Sequence, residues 1–147
     1  MADDGTSRGT FETLECWQAC RALRLFVARE LVPALPRDEK YRLGDQVLRA
    51  ARSSTANIAE GYGRFHYLDT AKFCGNARGS VFETLDHLIT AADEGLAPEG
   101  LIEHGKALVV PAGKLLNGYI QYLKAQADGV KNRPRSLRED QDAGYGP

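Results

Sequence analysis

Three histidines, three cysteines and a run of hydroxyl, amide and guanidinium side chains between Asp45 and Arg64 are the residues of this 147-residue chain whose types could do chemistry. As catalysts or ligands most of them fail on spacing. Cys16 and Cys20 share one helix face and with a histidine could hold zinc, but no second Cys-x-x-Cys or His-x-x-x-His closes a tetrahedral site. They read as small buried residues. His66, His87 and His104 are scattered over a loop and two helices, each a surface or internally satisfied histidine. Ser53 and Ser54 lack the glycine frame of a nucleophile elbow, and no Ser, His and acid set assembles from sequence alone. Asp45 and Glu60 lie about four helical turns apart, roughly 22 Å, too far for any two-carboxylate mechanism. The glycines of "GYGR" follow a helix rather than a strand, so no phosphate cradle is expected. The reading is of a protein that is not an enzyme, with no cofactor and no metal.

What survives is the run itself, "DQVLRAARSSTANIAEGYGR". At about 100° per residue, Asp45, Arg49, Glu60, Ser53, Gln46 and Asn57 fall within roughly a third of the circumference and form one polar stripe. Leu43, Val47, Leu48, Ala50, Ala51, Ile58 and Ala59 occupy most of the rest. Asp45 precedes Arg49 by four residues, the favourable order for an ion pair. A solvated face would be built from Lys and Glu; here Gln, Ser and Asn carry fixed donors and acceptors at short reach. Two readings stay open: a solvated face, or a polar network with a neighbouring helix or subunit.

The elements that must position this stripe are helical throughout. Cys16, Cys20, Leu23, Val27 and Leu31 make one helix face, ended by Pro33 and Pro36. A second helix starts between Asp38 and Arg42, with Asp38 a candidate N-cap, and runs to the glycines at 61 and 63. A third follows Asp69, also a candidate cap, with Phe73, Ala77, Val81, Leu85 (or Thr84), Leu88 and Ala92 in a stripe, and closes at Gly95 and Pro98. The fourth carries Ile102, Leu108, Val109, Ala112, Leu115, Leu116, Tyr119, Ile120 and Leu123, with Pro111 expected to kink it. Long helices with short loops predict an all-α fold, an antiparallel up-and-down four-helix bundle over residues 10–127. Residues 1–9 and 128–147 are polar and rich in Gly, Pro and charge, and are expected to be disordered.

At 43% hydrophobic content the chain is long enough for one domain with its own core. No apolar run spans a membrane, no signal peptide is evident and the cysteine number is odd, so a cytoplasmic protein without a disulfide framework is expected. The net charge of -1 excludes a bulk polycation. Charge is uneven, however: residues 37–78 hold eight Lys/Arg against five Asp/Glu, and residues 79–127 three against six. Candidate phosphate contacts are therefore Arg49, Arg52, Arg64, Lys72 and Arg78, with Tyr62, Phe65 and Tyr67 beside them for base stacking or for packing at a bundle corner.

The same stretch carries a resemblance. Asp45, Gln46, Arg49, Ser53, Asn57-Ile58-Ala59-Glu60-Gly61, Gly63 and Arg64, followed by Ala77, Gly79, Ser80 and Glu83 and preceded by Phe11, Leu14, Trp17 and Gln18, are similar to the pattern of the four-helix bundle proteins called 23S ribosomal RNA intervening-sequence proteins. The resemblance covers roughly residues 11–125. It implies an up-and-down protomer assembling into a homopentamer, with no enzymatic activity. Some genes of that family lie within insertions in large-subunit ribosomal RNA genes. Distant relatives are RNA-binding accessory proteins of retroelement reverse transcriptases. This chain departs at Leu48, where a basic residue is frequent, at Ser54-Thr55, where Ile-Pro is frequent, and in lacking the accessory proteins' strongly basic charge.

Two functions of different class follow. One is a homo-oligomeric scaffold or adaptor, the stripe being an interhelical or intersubunit network. The alternative is an RNA-binding accessory protein with a basic belt on the second helix and its following loop, its partner an RNA or an RNA-processing or reverse-transcriptase protein. On the first helix Phe11, Leu14, Leu25 and Phe26 form a second apolar arc, with Trp17 between the two, and this arc is expected to face another subunit.

Overall fold

The computed structural model describes residues 10–131, and almost all of them are helical. After a short 3₁₀ turn (Phe11–Thr13), the first helix, α1, spans residues 15–34. Its inner face is the expected one: Cys16, Cys20, Leu23, Val27 and Leu31 are buried. It does not end at Pro33. The stretch Val27–Leu31 widens into a π turn, with the Val32 amide bonded to the Val27 carbonyl five residues back. That one-residue shift comes just ahead of the proline, whose ring and missing N–H disrupt ordinary helical bonding. The helix stops at Ala34 because Leu35, the residue before Pro36, is forced extended (φ -69°, ψ 152°).

A 3₁₀ turn (Glu39–Tyr41) leads into α2 (Leu43–Tyr62). Asp38 does not cap α2; it precedes the 3₁₀ turn in helical geometry and makes no side-chain cap bond. Nor does Asp69 cap α3 (Tyr67–Asp93), which begins two residues earlier with His66 in the extended N-cap position. Asp69 lies in the first turn, where its charge still suits the helix dipole. In α3 the buried residues include Thr70, Cys74, Ala77, Val81, Thr84, Leu88 and Ala91. Thr84 rather than Leu85 takes the core position, its hydroxyl donating to the Ser80 carbonyl at 2.9 Å. Phe73 is half-buried and Ala92 exposed. The end of α3 is a left-handed turn at Gly95 (φ 64°), with the Leu96 amide on the Ala91 carbonyl at 2.8 Å and the Gly95 amide on Ala92 at 3.2 Å. This satisfies two of the terminal carbonyls.

The last helix, α4 (Glu99–Lys131), continues unbroken through an exposed Pro111. It also continues past residue 127, so residues 128–131, expected in the tail, are helical. The disorder expected of residues 1–9 and 132–147 lies outside the described residues. Each helix packs on two neighbours, α1 on α2, α2 on α3, α3 on α4 and α4 on α1, which is an antiparallel up-and-down four-helix bundle. Leu23, Leu31, Ile58, Leu88, Ile102, Leu116 and Leu123 fill its axis, each worth about 1.5–3 kcal/mol of burial.

Two glycines let helices touch. A Cβ on Gly105 would lie 2.6 Å from the Phe26 ring, and one on Gly61 would lie 2.7 Å from Phe73 Cβ and 3.1 Å from the Thr70 carbonyl. Phe26 is consequently a core residue, its ring centroid 5.2 Å from that of His104. The second arc of α1 is thus largely used within the protomer. Phe11 meets Trp17 edge-on at 5.3 Å, and Leu14 and Leu25 are half-buried. Large exposed apolar side chains lie instead on α3 and α4, at Leu68 (60% exposed), Phe82 (43%), Ile89, Val110 (53%) and Tyr122, and in the connections, at Tyr41 and Phe65.

Gly61→Ala is expected to destabilise the fold by about 1–3 kcal/mol, because backbone as well as side chain must shift. Gly118→Ala, with nothing within 4 Å of the added methyl, should melt at or slightly above wild type through helix propensity. Thermal melting of the two variants separates them. Cys16, Cys20 and Cys74 are free and buried, and burial pushes their thiols up to about 11, about 12 and about 12. The folded state therefore keeps protons that the unfolded chain loses near 9.0. Stability should be level below about pH 9 and fall as pH rises towards 11, as a lower urea midpoint at pH 10 than at pH 8 would register. An aromatic disulfide reagent at pH 7.5 should react with none of the three until denaturant is added.

Candidate functional site

The polar stripe lies on the outer edge of α2 where it borders α3, and the structure divides it into parts. At its centre Asn57 Nδ2 donates to the Ser53 carbonyl at 2.9 Å and to Ser53 Oγ at 3.0 Å. Ser53 Oγ in turn receives the Ser80 hydroxyl from α3 at 2.9 Å. Ser80 is a motif residue that the wheel of α2 alone could not place beside the stripe. All three are half-buried.

At one end Glu60 holds Arg64 at 2.9 Å, both exposed, while the Arg64 guanidinium also lies 4.6 Å from the Phe73 ring centroid. At the other end Asp45, Gln46 and Arg49 are exposed. Among the described residues no ion pair joins Asp45 to Arg49, so favourable spacing is not matched by a contact. On the α3 side Glu83 is 3.2 Å from His87 Nε2. The four residues Arg49, Ser53, Asn57 and Glu60 accordingly do not form one buried network within the protomer. Ser53 and Asn57 join Ser80, Glu60 joins Arg64, and Arg49 stands apart. Gly61 belongs to the packing, as the contact point with α3, where its carbonyl accepts the Thr70 hydroxyl at 2.8 Å.

The surface around this cluster is low. Exposed Ala56 lies between Ser53 and Glu60 on α2, and Gly79, beside Ser80, has nothing within 4 Å of its missing methyl. Small groups fill the middle and charges of both signs stand at the rim.

The expected basic belt is dispersed. Arg49 and Arg52 point outward from α2, and Arg64 is tied to Glu60 and Phe73. Lys72 and Arg78 face the other flank of α3, towards α4. Of the aromatics, Tyr67 packs against the core, Tyr62 is half-buried and Phe65 is exposed in the loop. Opposite Lys72 and Arg78 stand α4 lysines that the segment counts concealed. Lys106 and Lys124 are eighteen residues apart, five full turns and hence one side of the helix, a signal that was present in the sequence.

No buried side-chain nitrogen or oxygen among the described residues lacks a hydrogen-bond partner. Among them no group of three or more His, Cys, Asp and Glu residues is placed to hold a metal ion, and no helix is long and apolar enough to cross a membrane. Because Asn57 is half-buried and bonded only along its own helix, Asn57→Ala should cost about 0.5–1.5 kcal/mol, the worth of an ordinary hydrogen bond. A urea melt showing a loss above about 3 kcal/mol would mean that the stripe is sealed from water.

Among curated proteins none matches the chain. The family model described as 23S rRNA-intervening sequence protein matches residues 12–118, a span that includes the α2 stripe, its α3 partner Ser80 and the α1 residues Trp17 and Gln18. It is not a known family of enzymes. The chain belongs to the 23S rRNA-intervening sequence protein family.

Proposed function

We propose that this protein is a non-catalytic assembly module of the cytoplasm that acts as a homo-oligomer, with the low polar face of α2 and α3 as its contact surface. The observation that carries this reading is the combination of small groups at the centre, Ser53, Ala56, Asn57, Gly79 and Ser80, with charges of both signs at the rim. Helix backbones approach closely only where side chains are small. A glycine in a helix interior costs about 1 kcal/mol relative to alanine, and Gly79 makes no intramolecular contact that needs it. Rim residues Asp45, Arg49, Arg52, Glu60 and Glu83 supply both signs for a partner carrying the same set, which favours correct docking more than raw affinity. The family resemblance supports a pentamer.

Light scattering at micromolar concentration should return a multiple of the 16.1 kDa protomer, five copies being the expected number. Ala56→Arg places a long side chain on an exposed position where the isolated protomer has room for it. It should leave helical content intact and reduce the mass to that of a monomer. A wild-type monomer, or an Ala56→Arg protein that assembles like wild type, contradicts the proposal.

A further inference from the structure

The other flank of α3 carries an independent feature. Between α3 and α4 runs a groove of about 480 Å³ bordered by Lys72, Arg78 and Lys124. A second, of about 350 Å³, is bordered by Lys106 and Lys114. Asn117 borders both, and no carboxylate lines either. The α4 residues that border them, from 106 to 124, span about 27 Å of helix. In a protein of net charge -1, five cations along two adjoining grooves that no carboxylate lines are a local concentration of positive charge that composition conceals.

Four of the five cations are available. Among the described residues Lys72, Arg78, Lys114 and Lys124 have no carboxylate partner; Lys106 has Glu103 at 3.4 Å. Arg78 is held in place, its Nε donating to Asn117 Oδ1 at 2.7 Å and its guanidinium stacked 4.7 Å from the Phe82 ring centroid. That posture leaves the two terminal nitrogens to meet an anion. The floor is apolar or bare: Leu68, Gly75, Ile120, Phe82 and Gly113. Spaced cations over a flat, partly aromatic floor match a phosphodiester chain whose bases lie against protein. A duplex would hold its bases away from such a floor.

The geometry points to the α3–α4 groove as a binding site for single-stranded nucleic acid, with Lys72, Arg78 and Lys124 as its principal phosphate contacts and the Arg78–Phe82 stack as its base platform. The site goes beyond the assembly reading and is centred between α3 and α4 rather than between α2 and α3. It differs from the belt expected on α2, sharing only Lys72 and Arg78 with it. The groove holds no array of base-edge donors and acceptors, so sequence preference is slight.

The test is fluorescence anisotropy of the full chain with a labelled mixed-sequence single-stranded RNA, from 50 to 200 mM salt. With about four phosphates neutralised, affinity should fall about 50-fold across that range. Lys72→Gln with Lys124→Gln should weaken binding and lower the log–log salt slope by about 1.4. Arg64→Gln, in the belt expected on α2 and its loop, should leave both unchanged. Absence of binding at tens of micromolar protein overturns the proposal. So does loss of binding in Arg64→Gln with retention in the groove pair, or competition by polyglutamate as effective as that by unlabelled RNA.

Discussion

The close approach of α2 and α3 at Gly61 is the constraint on which the arrangement of both surfaces depends. A side chain there would collide with Phe73 and with the Thr70 backbone, and the Thr70 hydroxyl closes the corner by donating to the Gly61 carbonyl. With the corner fixed, the antiparallel run of the two helices brings Ser80 level with Ser53. The Ser53–Asn57–Ser80 cluster follows from that register. The opposite flank of α3 then turns towards α4, where Lys72 and Arg78 meet Lys124 and Asn117. One glycine contact thus sets the polar seam and, indirectly, the cationic groove.

The helices and the bundle were legible in the sequence because burial repeats along each helix, and a repeated signal survives local exceptions. What failed were single-residue signals. Asp38 and Asp69 have the residue type of a cap, but capping requires one particular backbone geometry, which a 3₁₀ turn ahead of α2 and an earlier start of α3 denied them. Pro33 has the residue type of a stop, and a π turn absorbed it. The second arc of α1 reads from sequence as a contact with another subunit, because no periodicity reveals that Gly105, on the distant α4, leaves a hollow for Phe26.

The stripe was legible as a set of residues and not as a set of contacts. One helical wheel shows which side chains share an edge, but their partner, Ser80, comes from another helix. The groove was missed for a related reason. Counting charge by chain segment gives residues 79–127 an acidic balance, yet none of those acids lines either groove. Surface potential belongs to faces, and a segment sum averages over them. Neither surface is built on strong ion pairs: the Glu60–Arg64 pair is exposed on both sides, where such contacts contribute little to stability. α3 thus borders a low polar seam on its α2 side and a cationic groove on its α4 side.

The central claim is that the low face of α2 and α3 is covered by another copy of the chain. Native thiols are buried and held protonated, so a thiol introduced by Ala56→Cys can be followed without removing them. Its reaction rate with an aromatic disulfide reagent, measured as a function of protein concentration, reads that face directly. Slow reaction is expected in concentrated, assembled protein, with a rise to the rate of an exposed thiol on dilution. An exposed-thiol rate in protein shown to be assembled would contradict it.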